Sequence, residues 1–151
     1  MANSMIKIDV HLIFHIKSTS VQMQQCDLPQ IFSYIGGILR DIGSIPIIIG
    51  GIPDHIHTLV ALPSNMTISE LVRTTKAKSS KWIKTLSPYY SMFAWQDGYG
   101  AFSVSPSILD KTINYIKNQE NHHRTKSFQE EYMAFLKAYK IPYDEKYIFN
   151  D

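Results

Sequence analysis

The stretch Ile6-Lys7-Ile8-Asp9-Val10-His11-Leu12-Ile13-Phe14-His15-Ile16 decides how this chain is built. Every even position is apolar, while the odd positions carry Lys7, Asp9, His11 and His15 with one isoleucine, Ile13. Successive side chains of a strand point to opposite faces, so this alternation predicts a strand with one wholly apolar side. Such a side needs a cover, and the next segments supply it. Asp27-Leu28-Pro29-Gln30 opens a helix, with Asp27 as cap and proline in the first turn, and Ile31, Ile35, Ile38 and Leu39 carry it to about residue 41. The β-branched run 45–49 ends at Gly50-Gly51, Pro53-Asp54 makes a turn, and 55–62 forms the next strand, a hairpin. Thr67-Ile68-Ser69-Glu70 is a capping box that starts a helix reaching about residue 86. Segments 91–96 and 101–105 flank Asp97-Gly98-Tyr99-Gly100 and predict a second hairpin. A helix runs from Ser107 to about residue 123, and a second capping box, Ser127-Phe128-Gln129-Glu130, opens another to about residue 139. Strands and helices mixed in this order predict an α+β fold, an antiparallel sheet with helices mainly on one face.

Composition narrows the class. The 151 residues are 44% hydrophobic, 12% aromatic and 19% charged, too apolar for a disordered chain. The length suits one core, and residues 5–149 read as a single domain preceded by a short leader, 1–4. Cys26 is the only cysteine, which excludes an intrachain disulfide framework and multi-cysteine metal sites. No apolar run reaches the ~18 residues of a membrane span. Met1-Ala2-Asn3-Ser4-Met5 lacks the pattern of a signal peptide, so a cytoplasmic protein with no membrane partner is expected. The net charge of +2 hides an uneven distribution: residues 66–84 carry five cations against one acid, 111–126 four against one, and 127–151 three against five. On the first of these, Arg73, Lys76 and Lys84 share a helix face interleaved with Ser and Thr donors, and Lys78 and Lys81 lie between them, a pattern suited to phosphate tracking along DNA. It is also the pattern of a solvated helix. Trp82, Tyr99 and Phe102 are candidates either for stacking on unpaired bases or for the core.

Two groups of residues carry candidate chemistry. In His55-Ile56-His57, alternation puts both imidazoles on one face of a strand, from which they can converge on one ion. The competing reading is one hydrogen-bonded, partly buried histidine and one facing solvent. Asp54 is a possible partner of the pair or simply a turn residue. Tyr115, Gln119 and His122, at i, i+4 and i+7, share a helix face. Either that face is an amphipathic edge, or Tyr115 is a nucleophile and Gln119 a neutral metal ligand. A free tyrosine is a poor nucleophile, and a divalent ion on a substrate phosphate would make good that weakness.

Several segments together resemble a known family. Pro53-Asp54-His55-Ile56-His57 resembles an HUH motif (His, hydrophobic, His), and Tyr115-Ile116-Lys117-Asn118-Gln119 with His122-His123 resembles a single-tyrosine helix. Trp95-Gln96-Asp97-Gly98-Tyr99-Gly100-Ala101-Phe102, Lys78-Ser79-Ser80-Lys81-Trp82 and the aromatic, acidic ending are similar in the same order. The chain thus resembles the HUH single-tyrosine transposases of small bacterial insertion sequences and their REP-associated relatives. The resemblance implies a ferredoxin-like, RRM-like sheet, and a Mg²⁺ or Mn²⁺ ion held by His55, His57 and Gln119, with Asp54 and His122 as supporting residues. It implies Tyr115 attacking single-stranded DNA at hairpin-bearing ends to leave a 5′-phosphotyrosine and a free 3′-OH. It also implies a nucleoid-associated homodimer in which one subunit's tyrosine helix completes the partner's histidine pair. The sequence departs from the family at its leader and at His15, where a small hydroxyl residue is expected, and neither position is expected to touch the chemistry. The alternatives are a domesticated, non-catalytic RRM-like nucleic-acid-binding module and a hydrolase using water in place of tyrosine.

Overall fold

The alternating segment forms β1 over Asp9–His15. In the computed structural model, which describes residues 4–149, β1 is an inner strand of a four-stranded antiparallel sheet. Its companions are β2 (Ile45–Ile52), β3 (His55–Ala61) and β4 (Gly100–Val104), in the order β2-β3-β1-β4. Helix α1 (Leu28–Asp41) connects β1 to β2, and α2 (Ile68–Ile83) connects β3 to β4. Each crossover passes over one strand, which makes the βαββαβ order of a ferredoxin-like, RRM-like sheet. After β4 come α3 (Leu109–Lys117), α4 (Gln119–His122), α5 (Phe128–Ala138) and α6 (Glu145–Ile148). Most of the leader 1–4 lies outside the described residues.

The two faces of the sheet do different work. Val10, Leu12 and Phe14 of β1 and Ile56 and Val60 of β3 bury themselves against Ile31, Ile35 and Leu39 of α1 and Leu71 and Val72 of α2. The two longest helices therefore cover the apolar side that the alternation predicted. The other face is covered by α3 to α5 in two separate apolar patches. One joins Ile13 and Phe102 to Phe128, Tyr132 and Leu136 of α5, and the other joins Leu59 and Val104 to Ile116 of α3. Between them lies a strip of buried polar side chains, including His11, His55 and His57.

Local signals were read correctly where their partners are local. Thr67 accepts from the Glu70 amide at the start of α2, and Ser127 and Glu130 form a reciprocal capping box on α5. Four expectations need correction. The alternation begins at Ile6, but the strand begins at Asp9, because β3 and β4 stop opposite it at Ala61 and Val104, and Ile6 and Ile8 stay half exposed. Asp27 stands at the N-cap of α1 but its side chain makes no capping bond to the helix backbone; its carboxylate accepts from the Tyr90 hydroxyl at 2.6 Å and the Gln30 side-chain amide at 3.2 Å instead. The 91–96 segment makes no hairpin with β4. It pairs with the end of β1 through an Ile16–Trp95 bridge, which lets Phe93 and Trp95 enter the core. The long helix from Ser107 is interrupted at Asn118, dividing it into α3 and α4.

Gly50 sets how closely α3 approaches β2. A Cβ there would stand 2.6 Å from the Ile116 carbonyl oxygen and 2.9 Å from its Cγ2. Gly50→Ala must therefore displace α3, at a cost of about 1–3 kcal/mol for overpacking. Thermal unfolding is expected to show a lowered Tm; an unchanged Tm would mean that α3 is not seated on Gly50.

Candidate active site

The buried strip is built from β1 and β3 upward. His55 and His57 both point to the α3–α5 face, and both are fully buried. His55 Nδ1 donates to Asp54 Oδ1 at 2.6 Å, which leaves Nε2 facing Gln119 Oε1 at 3.2 Å and Glu131 Oε1 at 3.4 Å. His57 Nδ1 is 2.7 Å from His11 Nε2, and its Nε2 is 3.1 Å from Glu131 Oε1. Each imidazole is thus gripped through Nδ1, and both present Nε2 to one common space. The partners also separate their basicity. Burial disfavours the His55 cation, but hydrogen bonds to Asp54 and Glu131 outweigh it and raise its pKa to about 9. For His57 burial wins and lowers the pKa to about 4; burial and the neighbouring His57 lower that of His11 to about 3.

Tyr115, near the end of α3, reaches the same space. Its hydroxyl donates to Glu131 Oε2 in a short hydrogen bond and lies 3.3 Å from His122 Nε2. Its ring centroid is 5.8 Å from that of His57. Burial, and then the bond to Glu131, hold the phenol well above its ordinary pKa, so it is neutral as it stands. Gln119 lies just past the break at Asn118 and is almost fully buried. Its side-chain amide donates to the Tyr115 carbonyl at 3.4 Å and to Glu131 Oε2 at 3.3 Å. Tyr115, Gln119 and His122 therefore still converge, despite the helix break. Asp54 contacts His55 of the histidine pair.

Three residues at the centre are absent from the sequence-based candidates: Glu131, His123 and His11. Glu131 is 1% exposed and faces two ways, with Oε1 toward His55 and His57 and Oε2 toward Tyr115, Gln119 and His123. Burial opposes its charge, but hydrogen bonds from His55 and His57 overcome that and hold the carboxyl well below the usual range. A signal for it exists. Phe128, Glu131, Tyr132 and Phe135 follow the spacing of a buried helix stripe, and Glu131 is the carboxylate inside it. In a net-charge count it is merely one acid of an acidic ending. His15 also needs correction, since it borders the site: its ring stacks beside His55 at 6.4 Å between centroids, and its Nε2 is 3.7 Å from Asp54 Oδ2.

The donor set suits a divalent ion. Ligand atoms of His55, His57, His123 and Glu131 all lie within 4.8 Å of one another, and Gln119 Oε1 is 3.1 Å from His123 Nε2. Imidazole with carboxylate oxygen fits the first-row divalent metals. With an ion at His57 Nε2, the ring must keep its proton on Nδ1, where His11 Nε2 accepts it. Removal of such an orienting partner typically costs about 10–100-fold in metal affinity. His11→Ala is accordingly expected to weaken Mn²⁺ binding by about tenfold or more in titration calorimetry, with His11→Gln restoring part of it. Unchanged Mn²⁺ affinity in His11→Ala would show that His11 only fills space.

The cations of α2 do not form one surface. Lys76 Nζ donates to the carbonyls of Gln96, Asp97 and Gly98 at 2.6, 3.2 and 2.7 Å. It holds a loop, which corrects its place among the phosphate-tracking residues. Arg73 lines a groove between α2 and residues 94–99, whereas Lys78 and Lys81 lie beside Trp82 on the α1 side. Lys84 is exposed at the end of α2. Of the three aromatic candidates, Phe102 is core and Trp82 stacks on Tyr34 at 4.2 Å, while Tyr99 is 38% exposed. No helix among the described residues is long and apolar enough to cross a membrane.

Comparison with known proteins agrees with this architecture. The family described as transposase, IS200-like, matches residues 4–119. A protein of Deinococcus radiodurans R1 described as a candidate transposase superposes with a TM-score of 0.61 at 19% identity, over 79% of this chain and 95% of its own. A REP-associated tyrosine transposase bound to a REP hairpin superposes with a TM-score of 0.60 at 15% identity, over 82% of this chain and 73% of its own. No curated protein matches the chain.

Proposed function

Because the chain belongs to the IS200-like transposase family, we propose that it cleaves and rejoins single-stranded DNA at hairpin-bearing element ends, with Tyr115 as nucleophile. The observation that carries this reading is the Glu131 carboxylate, joined through one oxygen to His55 and His57 and through the other to the Tyr115 hydroxyl. A non-catalytic binding module has no use for a buried carboxylate so placed, and a water-using hydrolase has no use for the tyrosine. His55, His57 and Gln119, joined by His123 and Glu131, would hold Mg²⁺ or Mn²⁺. Such an ion, when bound, neutralises phosphate charge and stabilises the developing oxyanion. Asp54 and His11 keep the two imidazoles aimed. Tyr115 Oη attacks phosphorus, its proton passing to His122 Nε2, 3.3 Å away, and the bond to the 3′-oxygen breaks. That oxygen leaves with the bonding pair and takes up a proton, giving a 5′-phosphotyrosine and a free 3′-OH. The linkage keeps the phosphodiester energy for rejoining by another 3′-OH.

The relative bound to a REP hairpin supports a hairpin as the ligand. Arg73, Lys78, Lys81 and Lys84 are the α2 cations available to its backbone, and action on DNA places the protein with the nucleoid in the cytoplasm. Residues 5–149 act as one unit, since Glu131 lies beyond the stretch that the family match covers. The test is incubation of the purified chain with Mn²⁺ and a single-stranded hairpin oligonucleotide taken from the DNA flanking its gene. A denaturing gel is expected to show a covalent adduct with the single strand and none with the duplex. No adduct with any flanking hairpin, or equal reaction with duplex, would overturn the reading.

The trans arrangement implied by the resemblance is not needed to complete this site, because Tyr115 already contacts Glu131 of its own chain. Any homodimer would then carry two complete sites. Mixed His57→Ala and Tyr115→Phe chains are expected to form no adduct beyond that of either alone. Restored cleavage would mean that α3 is exchanged between subunits.

A further inference from the structure

Beside the histidine strip lies a cavity of about 170 Å³, bounded by His15, Gln96, Tyr99, Phe128, Tyr132 and Tyr147. Four of these walls are phenyl or phenol rings, and the imidazole of His15 is a fifth. The cavity adjoins the site through shared side chains. Phe128 lies 4.3 Å from the His15 ring and 4.8 Å from the His55 ring, between centroids, so one ring borders both spaces. On its other side, Tyr99 and Gln96 are shared with the larger groove, of about 470 Å³, that Arg73 lines along α2. The Lys76 ammonium fixes the carbonyls of residues 96–98 and so fixes the loop that carries Tyr99. A path therefore runs from a cationic groove, past an exposed tyrosine, into an aromatic cavity that abuts the candidate catalytic residues.

Aromatic walls with polar edges are what an unpaired base requires, since every base has a π-face to stack. A cavity of this size takes one such ring system and not a base pair. We propose that it is a nucleobase pocket, with Tyr99 as its stacking wall, which holds one unpaired base adjoining the phosphodiester that Tyr115 attacks. The pocket rests on the assignment of Tyr115 as nucleophile. Holding the neighbouring base fixes which phosphate reaches Tyr115 and makes double-stranded DNA, whose bases are already stacked, a poor substrate.

The experiment uses the whole chain and the flanking hairpin oligonucleotide, with an abasic residue or 2-aminopurine placed at one position at a time around the mapped cleavage site. An abasic residue at one of the two positions flanking the cleaved phosphate is expected to lower adduct formation by about tenfold, the order of one lost base–aromatic stack. That penalty should largely vanish in Tyr99→Leu and persist in Tyr99→Trp. The 2-aminopurine emission should change on binding, without added metal, at that same position alone. Equal abasic penalties in wild type and Tyr99→Leu, or adduct formation with no position-specific emission change, would overturn the pocket while leaving the nucleophile in place. A position-specific emission change that Tyr99→Leu abolishes, with no adduct in the wild type, would support the pocket and overturn the nucleophile. Tyr99 is partly exposed, so its replacement leaves the core intact.

Discussion

Replacing Tyr115 by Phe should abolish the covalent protein–DNA adduct, by about three orders of magnitude or more, as expected when a nucleophile is removed outright. Binding of the hairpin should survive, because the α2 cations and the aromatic cavity are untouched. The fold should survive as well. The ring keeps its place beside Phe135 and His57, and the Glu131 carboxylate keeps its bonds from His55 and His57 when it loses the Tyr115 hydroxyl. The stability change should be about 1.5–3 kcal/mol, the range for one hydrogen bond to a charged group. Gel-shift binding and urea unfolding, run beside the adduct assay, separate these effects. An adduct that persists in Tyr115→Phe would place the nucleophile on another side chain.

Glu131→Ala is expected to be the most damaging change to both stability and chemistry. The carboxylate is buried and is the shared acceptor for His55, His57, Tyr115 and Gln119. Its loss leaves several buried donors unpaired and takes one of two counter-charges from His55, whose other partner is Asp54. Breaking a buried charged network in this way costs about 3–5 kcal/mol. Urea unfolding should show that loss, and titration calorimetry should show weakened Mn²⁺ binding. Glu131→Gln separates the two roles. It keeps the shape and one acceptor oxygen, so most of the stability should return, but it lacks the charge to hold an ion, so adduct formation should stay low. A Glu131→Gln variant as active as the wild type would reduce Glu131 to a packing role.

The two halves of this site differed in how plainly they could be read. His55 and His57 were legible because a strand period of two places i and i+2 on one face whatever the strand packs against. Tyr115, Gln119 and His122 were legible for the matching helical reason, and survived a break at Asn118 that the periodicity did not foretell. Lys76 was misplaced because its charge was visible and its carbonyl partners, some twenty residues away, were not. The false second hairpin failed in the same way. Residues 91–96 look like a strand, but the apolar Phe93 and Trp95 gain more by entering the core beside β1.

By itself the sequence determined the strand-and-helix order as far as α2, the apolar side of β1, the reciprocal capping box at Ser127 and Glu130, the Thr67 half of the one at α2, the histidine pair and the tyrosine helix. All of these are set by spacing within one element, where geometry is fixed by the backbone alone. Only the tertiary structure decided that Glu131 joins the histidines to the tyrosine, that His11 grips His57, and that His15 walls a cavity. The His11–His57 and His57–Glu131 contacts span 46 and 74 residues of chain. Contacts at that distance depend on how β1 registers against β3 and how α5 docks on the sheet, and the packing of apolar faces chooses both.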